Sequence, residues 1–540
     1  MALRAETIKL TSSYWPADDS DVVLETTVGE VLRAAAAEHP ATTAIIAGMP
    51  DPVERRRWTY AGLLADAEQT ARALLGRFQP GDRVAAWAPN IPEWIVLEYA
   101  AGLAGVTLVT VNPAYRPNEL KYVLEQSGAV GIFLVPEFRS PMAAYLDEVR
   151  PELPDLREVI LFTEFDDFKA TADPAQQLPE VSPDDPVQIQ YTSGTTGAPK
   201  GALLHHRGIT NNARFYAKRM GIKPGDVQVS PMPLFHTAGC VLGVLGCAAA
   251  RATLVSLLYF DPALALDLIE SERSTGMLGV PTMLIAMAEH PTYKQRDLSS
   301  VRGVTSGGTP VPADLARKLE KDLGVAFTIV FGTTECSPLL TQTRPDDAEA
   351  DRAETLGQPL PQTEVKVCDP STGDPVPVGA VGELCARGYL VMKGYWNMPD
   401  ATAAAIDADG WYHTGDLASM DERGYLRIEG RLKDMIIRGG ENIYPREIED
   451  ILYAHPSVAE VAVVGVPDEL YGEAVAAFIR AAPGATPSKD ELFHLCRDRL
   501  AAYKTPKHWA FVETFPLTPS GKIQKFVLRR GFVEGTITPA

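Results

Sequence analysis

The sequence lacks an excess of basic residues. Its 540 residues include 50 Lys and Arg against 70 Asp and Glu, which gives a formal net charge of −20. A general nucleic-acid binder needs clustered Lys and Arg to displace counterions from phosphates. The charge balance therefore argues against that role, and any nucleotide would have to bind in a local pocket.

The sequence also lacks closely spaced cysteine pairs, a pattern typical of a secretory leader, and an unbroken apolar run. The six cysteines form no CxxC pair and no metal spacing with histidine, which is typical of reduced, buried thiols. Residues 1–16 contain no apolar core followed by a small-residue cleavage site. The most apolar window, residues 241–260, is interrupted by Arg251 and favours a buried helix and strand. We therefore expect a cytoplasmic protein without integral membrane association.

What the sequence does contain is a repeated alternation of strand-like and helix-like stretches. Strands are predicted at 83–87 and 107–111, and each precedes a helix, at 91–103 and 118–128. The alternation resumes with strands at 252–258 and 277–280 and helices at 261–270 and 312–323. Such βαβ units predict two parallel sheets, and the length of 540 residues implies several subdomains.

The pattern changes in the last third of the chain. From about residue 363, short runs separated by Gly and Asp predict antiparallel strands or a small barrel. After Gly430, helices at 445–454 and 489–500 and strands at 458–466, 473–479 and 509–512 predict a small α+β unit. The predicted α/β architecture is a large N-terminal lobe (1–432), with two parallel-type αβ sheets and a small β-barrel, followed by a small mobile α+β C-terminal domain (433–540).

The strongest local signal is a loop rich in Gly and Thr that follows a predicted strand at 187–190. Its glycines can turn successive N–H groups inward, its hydroxyls add donors, and its lysine adds a cation, so the loop suits a polyphosphate. It is not a Walker A loop, because Gly201 rather than Ser or Thr follows the lysine. A flexible turn is the alternative. The candidate phosphate-binding residues are Thr192, Ser193, Gly194, Thr195, Thr196, Gly197 and Lys200.

Together with further motifs in the expected order, this loop resembles the adenylate-forming superfamily, which holds acyl-CoA synthetases, firefly luciferase and peptide-synthetase adenylation domains. The resemblance covers essentially the whole chain and is nearest to medium-chain acyl-CoA synthetases. The other matching segments are Pro233 to His236, Phe331 to Glu335, Gly382 to Leu384, Trp411 to Asp416, Gly430 to Asp434, Gly439 to Pro445 and Pro519 to Lys525.

The resemblance implies a nucleotide site with defined roles. Glu335 would bind Mg²⁺, which takes one or two carboxylates together with phosphate oxygens. Thr334 would contact the α-phosphate, and Asp416 would accept hydrogen bonds from the ribose hydroxyls with support from Arg431. Gly307 and Gly308 would form the wall beside adenine, and Phe331 would lie on the adenine. Gly332 and Thr333 would also belong to the nucleotide site.

Two lysines near the C-terminal part would carry catalysis and domain movement. By resemblance, Lys522 reaches the α-phosphate and the substrate carboxylate and stabilises charge in the adenylation transition state. Lys433 occupies the position of the family hinge. On their own, both would be interpreted as surface lysines.

The resemblance also implies two further pockets. The acyl group would lie among His236, Gly239, Gly307, Val330, Gly332, Ser337 and Pro338. Coenzyme A would enter along Gly439, Gly440 and Glu441, where small residues leave room for pantetheine. Small residues after His236 favour a roomy acyl pocket, and a medium-chain or bulky alicyclic or polycyclic acid is the expected substrate.

The predicted activity is an ATP-dependent carboxylate–CoA ligase that forms acyl-AMP and pyrophosphate, then the acyl-CoA thioester and AMP. Its partners would be the acid, ATP and CoA, with Mg²⁺ as cofactor and no nucleic acid; a homodimer is one assembly left open. One alternative is an acyl-AMP ligase that loads a separate carrier protein. A luciferase-like monooxygenase, a kinase or P-loop ATPase, and a catalytically silent nucleotide-binding regulator are further alternatives.

Overall fold

The computed structural model describes residues 9–192, 199–439, 441–517 and 523–539. Within these ranges the strands are, in chain order, β1 (Tyr14–Trp15), β2 (Thr43–Gly48), β3 (Arg57–Thr59), β4 (Arg83–Trp87), β5 (Thr107–Val111), β6 (Gly131–Leu134), β7 (Glu158–Leu161), β8 (Pro186–Thr192), β9 (Lys200–His205), β10 (Val227–Ser230), β11 (Thr253–Leu257), β12 (Gly276–Leu278), β13 (Gly303–Gly307), β14 (Ala326–Gly332), β15 (Leu339–Gln342), β16 (Gln358–Pro359), β17 (Thr363–Cys368), β18 (Gly382–Gly388), β19 (Gly394–Tyr395), β20 (Tyr412–Met420), β21 (Leu426–Arg431), β22 (Ile436–Arg438), β23 (Glu441–Ile443), β24 (Val458–Asp468), β25 (Gly472–Ala481) and β26 (His508–Phe511).

The helices cover the sheets and connect the parallel strands. They are α1 (Val28–Glu38), α2 (Tyr60–Leu75), α3 (Pro92–Ala104), α4 (Pro117–Ser127), α5 (Met142–Val149), α6 (Phe165–Ala170), α7 (His206–Arg219), α8 (Gly246–Ala250), α9 (Pro262–Ser271), α10 (Pro281–Ala288), α11 (Ala313–Leu323), α12 (Glu349–Glu354), α13 (Pro399–Ala405), α14 (Pro445–Tyr453), α15 (Lys489–Arg499) and α16 (Lys525–Val533).

Two large sheets with parallel centres form the first part of the chain. The first has the order β19-β9-β8-β5-β4-β6-β7 and is parallel from β8 to β7. The second has the order β16-β15-β14-β13-β12-β10-β11-β2-β3 and is parallel from β14 to β2. Every residue of β5 is buried, as expected for a strand covered by helices on both faces.

Local sequence explains why these crossover helices begin and end where they do. Pro92 occupies the first turn of α3, where its missing N–H costs nothing. The helix ends at Gly105, whose φ of 68° lies in the left-handed region that glycine adopts readily. The next strand, β5, then starts at Thr107 and pairs with β4 in parallel.

The third and fourth sheets follow in the last part of the chain. The third has the order β1-β17-β18-β20-β21 and is antiparallel throughout. The fourth has the order β23-β22-β25-β24, with β26 parallel to β25. Buried apolar residues cover both faces of the fourth sheet, Ile448 and Leu452 in one cluster and Phe478 and Leu528 in the other. This part therefore has its own core, as the sequence predicts.

The predicted α/β class is confirmed, and most predicted elements agree with the structure to within one or two residues. The apolar window at 241–260 is a buried helical segment followed by β11, as predicted. Its first five residues, however, belong to a π-helix, Ala238–Leu245. No helix in the four described ranges has both the length and the apolar character that crossing a bilayer requires.

Candidate functional site

The predicted nucleotide-site residues collect at the carboxyl ends of parallel strands. Thr192 ends β8 of the first sheet, Gly307 ends β13 of the second, and Gly332 ends β14 next to it. Ligands of open α/β sheets bind at this edge, because the loops that leave it are free to vary and the strands hold them rigidly. The topology thus places residues that are more than a hundred positions apart on the corresponding edge of each sheet.

Two of the phosphate-loop candidates, Thr192 and Lys200, face each other on neighbouring strands. Thr192 pairs with Lys200 across the antiparallel β8–β9 ladder, and the Thr192 hydroxyl donates to the Lys200 carbonyl oxygen at 3.4 Å. The ammonium of Lys200 lies 4.8 Å from the centre of the Tyr395 ring. Such a cation–π contact fixes the side chain without removing its charge. The predicted residues Ser193, Gly194, Thr195, Thr196 and Gly197 lie outside the described residues.

Glu335 lies beside this lysine contact in a buried position. It belongs to the single 3₁₀ turn Thr334–Cys336 that follows β14, and only 7% of it is exposed. The Tyr395 hydroxyl donates to Oε1 of Glu335 at 2.7 Å. Burial, together with the nearby Glu335 carboxylate, raises the pKa of Tyr395 above its ordinary value, so the phenol stays a donor at neutral pH.

The sequence interpretation missed Tyr395. This residue lies on β19, which pairs with β9 so that Tyr395 stands opposite Ala202, two positions from Lys200. A possible signal in the sequence was the aromatic pair, Tyr395 and Trp396, that follows Gly394. In the structure Gly394 has a φ of 140° and lies close to Thr402, and both features favour glycine. Tyrosine there links the lysine of one sheet to the carboxylate that follows β14 of the other.

The adenine-wall candidates are held by very close backbone approach. Gly332 pairs with Leu339, and a Cβ at position 332 would lie 1.9 Å from the Pro338 carbonyl oxygen. The ladder is irregular between Phe331 and Gly332, which turns the chain into the 3₁₀ segment. The Thr333 hydroxyl then donates to the Tyr412 hydroxyl at 3.5 Å. Glycine is thus required here by space rather than by flexibility.

Gly307 shows the same constraint on the neighbouring strand. It stands directly opposite Val330, and a Cβ on it would lie 2.2 Å from the Val330 carbonyl oxygen. Gly308 follows with a φ of 77° and is exposed. The structure therefore brings the predicted residues Gly307, Val330 and Gly332 together at one edge of the second sheet.

Asp416 and Arg431 are brought together by the third sheet. They face each other in the β20–β21 register, and Nε of Arg431 lies 3.0 Å from Oδ1 of Asp416. Asp416 is buried, whereas 42% of the Arg431 side chain is exposed. The Thr414 hydroxyl accepts a hydrogen bond from the Asp416 N–H at 3.0 Å, which orients the turn before the carboxylate.

The segment with His236 and Gly239 enters the π-helix Ala238–Leu245. His236 is exposed, and its Nδ1 accepts from the Ala238 N–H at 3.2 Å. A Cβ on Gly239 would lie 2.1 Å from the Pro233 carbonyl oxygen, so this turn also depends on glycine. A missed residue, Asn90, holds the preceding loop: its amide donates to the Met232 carbonyl oxygen and accepts from the Leu234 N–H, both at 2.9 Å.

Ser337 and Pro338 form the buried turn after the 3₁₀ segment. Ser337 has a φ of 64°, and its hydroxyl donates to the Leu390 carbonyl oxygen at 2.7 Å. This hydroxyl is therefore engaged in holding the turn. The predicted place of both residues in the acyl pocket stays a prediction.

The remaining predicted residues belong to the C-terminal part. Lys433 is exposed in the short turn Leu432–Asp434. Gly439, with a φ of 61°, directly follows β22, and its N–H donates to the Tyr471 carbonyl oxygen at 2.8 Å. Glu441 is exposed and is the first residue of β23. Gly440 and Lys522 lie outside the described residues.

Comparison with known proteins identifies the family of the chain. A family model described as AMP-binding enzyme matches residues 32–396, and one described as AMP-binding enzyme C-terminal domain matches residues 447–522. YngI of Bacillus subtilis (strain 168), named as an acyl-CoA synthetase, is 41% identical over 95% of this chain and 98% of its own. The medium-chain acyl-CoA ligase ACSF2, mitochondrial, of Macaca fascicularis is 37% identical over 96% of this chain and 89% of its own.

A solved structure shows the same fold. ATP-bound MatB from Rhodopseudomonas palustris superimposes with a TM-score of 0.85 at 32% identity, over 94% of this chain and 99% of that one. The chain therefore belongs to the AMP-binding enzyme family, as the motifs predict. Within that family, its class is that of the AMP-forming acid–CoA ligases.

Proposed function

We propose that this enzyme activates a medium-chain or bulky hydrophobic carboxylic acid with ATP and then transfers the acyl group from acyl-AMP to coenzyme A. The observation that carries the proposal is the position of Glu335. Its buried carboxylate follows the carboxyl end of β14 and accepts a hydrogen bond from Tyr395. The ring of Tyr395 also contacts the Lys200 ammonium. A carboxylate and an ammonium that share one tyrosine neighbour suit a metal–polyphosphate substrate.

The chemistry explains why this combination is useful. A free carboxylate is a poor acyl donor, because attack on it would have to expel oxide. Its oxygen therefore attacks the α-phosphorus of ATP, the bond to pyrophosphate breaks, and a mixed anhydride with AMP forms. Two anions must approach each other in this step, so positioned cations and donors lower its barrier most. In our proposal Lys200 and Lys522 supply side-chain cations, and no protein nucleophile is needed.

The residues around Glu335 fit a magnesium ion. Within the four described ranges no Lys or Arg forms an ion pair with Glu335, although the residue is only 7% exposed. A buried carboxylate without a cation is unfavourable, so a bound cation would compensate its charge. We propose Glu335 as the protein ligand; the ion would neutralise phosphate charge and assist departure of pyrophosphate. Tyr395 would hold the carboxylate by its hydrogen bond to Oε1.

In our proposal, residues from the first, second and third sheets hold the nucleotide. Asp416 would accept the ribose hydroxyls, with Arg431 fixed against it at 3.0 Å. Gly307, Gly308, Phe331, Gly332 and Thr333 would form the adenine wall, and Thr334 would contact the α-phosphate. The loop from Thr192 to Lys200, including Ser193, Gly194, Thr195, Thr196 and Gly197, would surround the β- and γ-phosphates.

Thioester formation would use the C-terminal part after a rotation about Lys433. We propose a domain boundary there, with residues 1–432 and 433–540 as the moving units. Rotation would replace Lys522 at the site with the connection of Gly439, Gly440 and Glu441. Gly439 has a left-handed φ, and a Cβ on it would lie 3.1 Å from the Tyr471 ring, so the position favours glycine. A role that needs a small residue beside pantetheine is consistent with this.

Medium-chain acids are supported by the names of relatives such as ACSF2, which is 37% identical. We place the acyl chain among His236, Gly239, Gly307, Val330, Gly332, Ser337 and Pro338. Gly239, Gly307 and Gly332 have no side chains, and each lies close to another stretch of backbone. In our proposal they leave a flat wall for an apolar substrate.

Pyrophosphate release, measured across linear, aromatic and polycyclic acids with and without CoA, tests the proposal. We expect release that depends on a hydrophobic acid, AMP rather than ADP as product, and a thioester only with CoA. Pyrophosphate release without any CoA thioester would favour an acyl-AMP ligase for a carrier protein instead. ADP as product would contradict the proposal.

Two variants separate the half-reactions. Lys522→Ala should abolish acyl-AMP formation while transfer from supplied acyl-AMP survives; equal loss of both would exclude the assigned role. Lys433→Pro fixes φ at the proposed hinge and should uncouple the two steps. Lys433→Ala is the matched control, because it removes the same charge and leaves φ free.

A further inference from the structure

The third sheet carries a buried cluster of cysteine, glutamate and histidine side chains that the ligase chemistry does not use. Cys368 of β17 stands opposite Glu383 of β18, and Cys385 of β18 stands opposite His413 of β20. Directly opposed residues project from the same face of a sheet, as do residues two apart on one strand. Four side chains capable of binding metal therefore share one face across three strands.

Their ligand atoms are close together. The sulfurs of Cys368 and Cys385 are 3.6 Å apart. One carboxylate oxygen of Glu383 and these two sulfurs all lie within 4.8 Å of one another. Nδ1 of His413 lies 3.4 Å from the Cys385 sulfur and 2.9 Å from Oε2 of Glu383. Both cysteines are fully buried, and 29% of the His413 side chain is exposed.

These separations approach those around a tetrahedral zinc ion. Bonds of about 2.3 Å to sulfur and about 2.0 Å to nitrogen or oxygen place the ligand atoms about 3.3–3.8 Å apart. The three pairwise contacts of 3.6, 3.4 and 2.9 Å are near that range. His413 is not part of the group of three whose ligand atoms all lie within 4.8 Å of one another, so its partly exposed imidazole would have to move closer to supply the fourth ligand.

The surroundings of His413 also match a metal ligand. Its second ring nitrogen, Nε2, faces Oδ2 of Asp407 at 3.4 Å. Asp407 is itself held, since its Oδ1 accepts from the Trp411 N–H at 2.8 Å. Histidines that bind metals commonly donate their other N–H to such a carboxylate, which fixes the tautomer and the ring orientation.

Neighbouring side chains can offset part of the negative charge that the cluster would keep with zinc bound. Two thiolates and a carboxylate carry three negative charges, more than one zinc ion neutralises. Lys366, which stands opposite Cys385, and Arg387 both lie against Trp411, with their charges 4.6 and 4.5 Å from its ring centre. Trp411 in turn packs on the two buried cysteines. Arg387 is paired with Glu364 at 2.8 Å, so Lys366 is the cation that can offset the charge of the cluster, and Trp411 covers the two sulfurs.

We propose that Cys368, Glu383, Cys385 and His413 bind one zinc ion in a structural site. Four protein ligands leave no open position, and thiolates select zinc over magnesium or calcium. The site differs from the nucleotide site but is linked to it, because the other oxygen of Glu383 accepts from the Gly415 N–H at 3.2 Å, next to Asp416. Zinc there would hold the turn that carries the ribose-site carboxylate.

Sequence spacing conceals such a site. Cysteines of zinc motifs usually come in pairs two to four residues apart. Here the ligands are separated by 17 positions between the cysteines and by 28 between Cys385 and His413, and only the strand register unites them.

Cobalt titration of the full-length, thiol-reduced and metal-stripped enzyme tests the proposal. Co²⁺ alone should bind at one equivalent and give a thiolate-to-cobalt charge-transfer band with the visible spectrum of a tetrahedral site. Zn²⁺ should displace it and raise the thermal midpoint. Cys368→Ser and Cys385→Ser should lose the band, whereas Cys247→Ser and Cys496→Ser, which remove other buried thiols, should keep it.

The wild-type spectrum decides even if the serine variants fail to fold. Absence of a charge-transfer band in the reduced wild-type enzyme, or a band that survives in both Cys368→Ser and Cys385→Ser, overturns the proposal. Such a result would leave the cluster without a metal and His413 hydrogen-bonded between Glu383 and Asp407. A Cys368–Cys385 disulfide that persists under reductant, seen as a loss of two hydrogens by mass spectrometry, would overturn it as well.

Discussion

The Tyr395 hydroxyl donates a hydrogen bond of 2.7 Å to Oε1 of Glu335. The same ring carries the Lys200 ammonium 4.8 Å above its centre. One tyrosine thus orients both an anion and a cation of the proposed site, through its hydroxyl and its π face respectively. No local sequence motif joins these three residues.

Removing this hydroxyl should impair adenylation. In Tyr395→Phe the ring under Lys200 remains, but Glu335 loses a hydrogen bond, which is worth about 1.5–3 kcal/mol when one partner is charged. We expect kcat/KM for pyrophosphate release to fall about 10- to 100-fold, with a higher Mg²⁺ requirement. Steady-state kinetics across Mg²⁺ concentrations measures both effects.

Tyr425→Phe is the matched control. Tyr425 also donates to a carboxylate at 2.7 Å, that of Asp347, away from the proposed site. Its loss should change kcat/KM by less than about twofold, whatever it does to stability. Equal impairment by the two variants would mean that the Tyr395 bond serves the fold alone.

The ribose assignment predicts a change in nucleotide selectivity. Asp416→Asn removes the acceptor charge and the pairing with Arg431 at 3.0 Å. We expect KM for ATP to rise about 10-fold or more, and the preference for ATP over 2′-deoxyATP to shrink, because that preference depends on the lost bond. Parallel kinetics with the two nucleotides measure it.

A similar ion pair elsewhere provides the control for Asp416. Asp351 pairs with Arg423 at 2.8 Å. The exposed fractions of the two side chains, 10% for Asp351 and 45% for Arg423, are close to the 7% of Asp416 and the 42% of Arg431. Asp351→Asn should leave the ATP preference unchanged. A wild-type preference in Asp416→Asn would remove Asp416 from the ribose site.

Gly307 should tolerate no side chain. In Gly307→Ala the new Cβ would lie 2.2 Å from the Val330 carbonyl oxygen, so β13 and β14 must move apart. Overpacking of this kind costs about 1–3 kcal/mol, and here it would displace the edge of the proposed adenine and acyl pockets. We expect a lower urea midpoint together with a large loss of acyl-AMP formation.

Gly303, at the other end of β13, is the matched position. Its Cβ would meet only the flexible Met220 side chain at 3.5 Å. Gly303→Ala should therefore unfold close to the wild-type midpoint and keep its activity. Normal acyl-AMP formation by Gly307→Ala would show that the edge of the sheet does not form the pocket.

Glu98 should make stability fall as pH rises. It is buried on α3, and burial raises the pKa of its carboxyl well above the ordinary value of 4.5, while the Gln188 amide donates to Oε1 at 2.7 Å and works in the opposite direction. Above pH 4.5 the unfolded chain releases this proton and the folded chain retains it, so unfolding becomes easier with rising pH. Glu98→Gln cannot titrate and should remove this contribution.

Thermal midpoints measured from pH 5 to pH 8 check this expectation. The thermal midpoint of Glu98→Gln, relative to that of the wild type, should increase steadily as pH rises. Glu180→Gln, at an exposed position, should follow the wild type throughout. Parallel curves for Glu98→Gln and the wild type would show that Glu98 titrates alike in both states.

Local pattern was sufficient for much of the fold. The strands Arg83–Trp87 and Thr107–Val111 agree with prediction at both ends, because β-branched and apolar runs bounded by Gly and Asp leave little choice of structure. The π-helix Ala238–Leu245 was beyond such reasoning. An i→i+5 turn differs from an α-helix by one residue of hydrogen bonding, and no composition distinguishes the two.

The candidate site divides in the same way. The order of the motifs predicted Thr334, Glu335, Asp416 and Lys200, because each lies in a short segment whose residue types suit phosphate or ribose. Tyr395 was missed, since its importance comes from the pairing of β19 with β9 beside Lys200. The Cys368 cluster was missed for the same reason, and cysteine spacing even argued against a metal site there.

The sequence by itself therefore determined the family and the alternating αβ architecture, and it supplied the segments that we propose bind ATP, since these depend on residues adjacent in the chain. The tertiary structure decided which distant side chains share a face: Tyr395 with Glu335, Gly307 with Val330, and Cys385 with His413. Strand register and crossover connections set these pairs, and both arise from packing across the whole domain, which no short stretch of sequence contains.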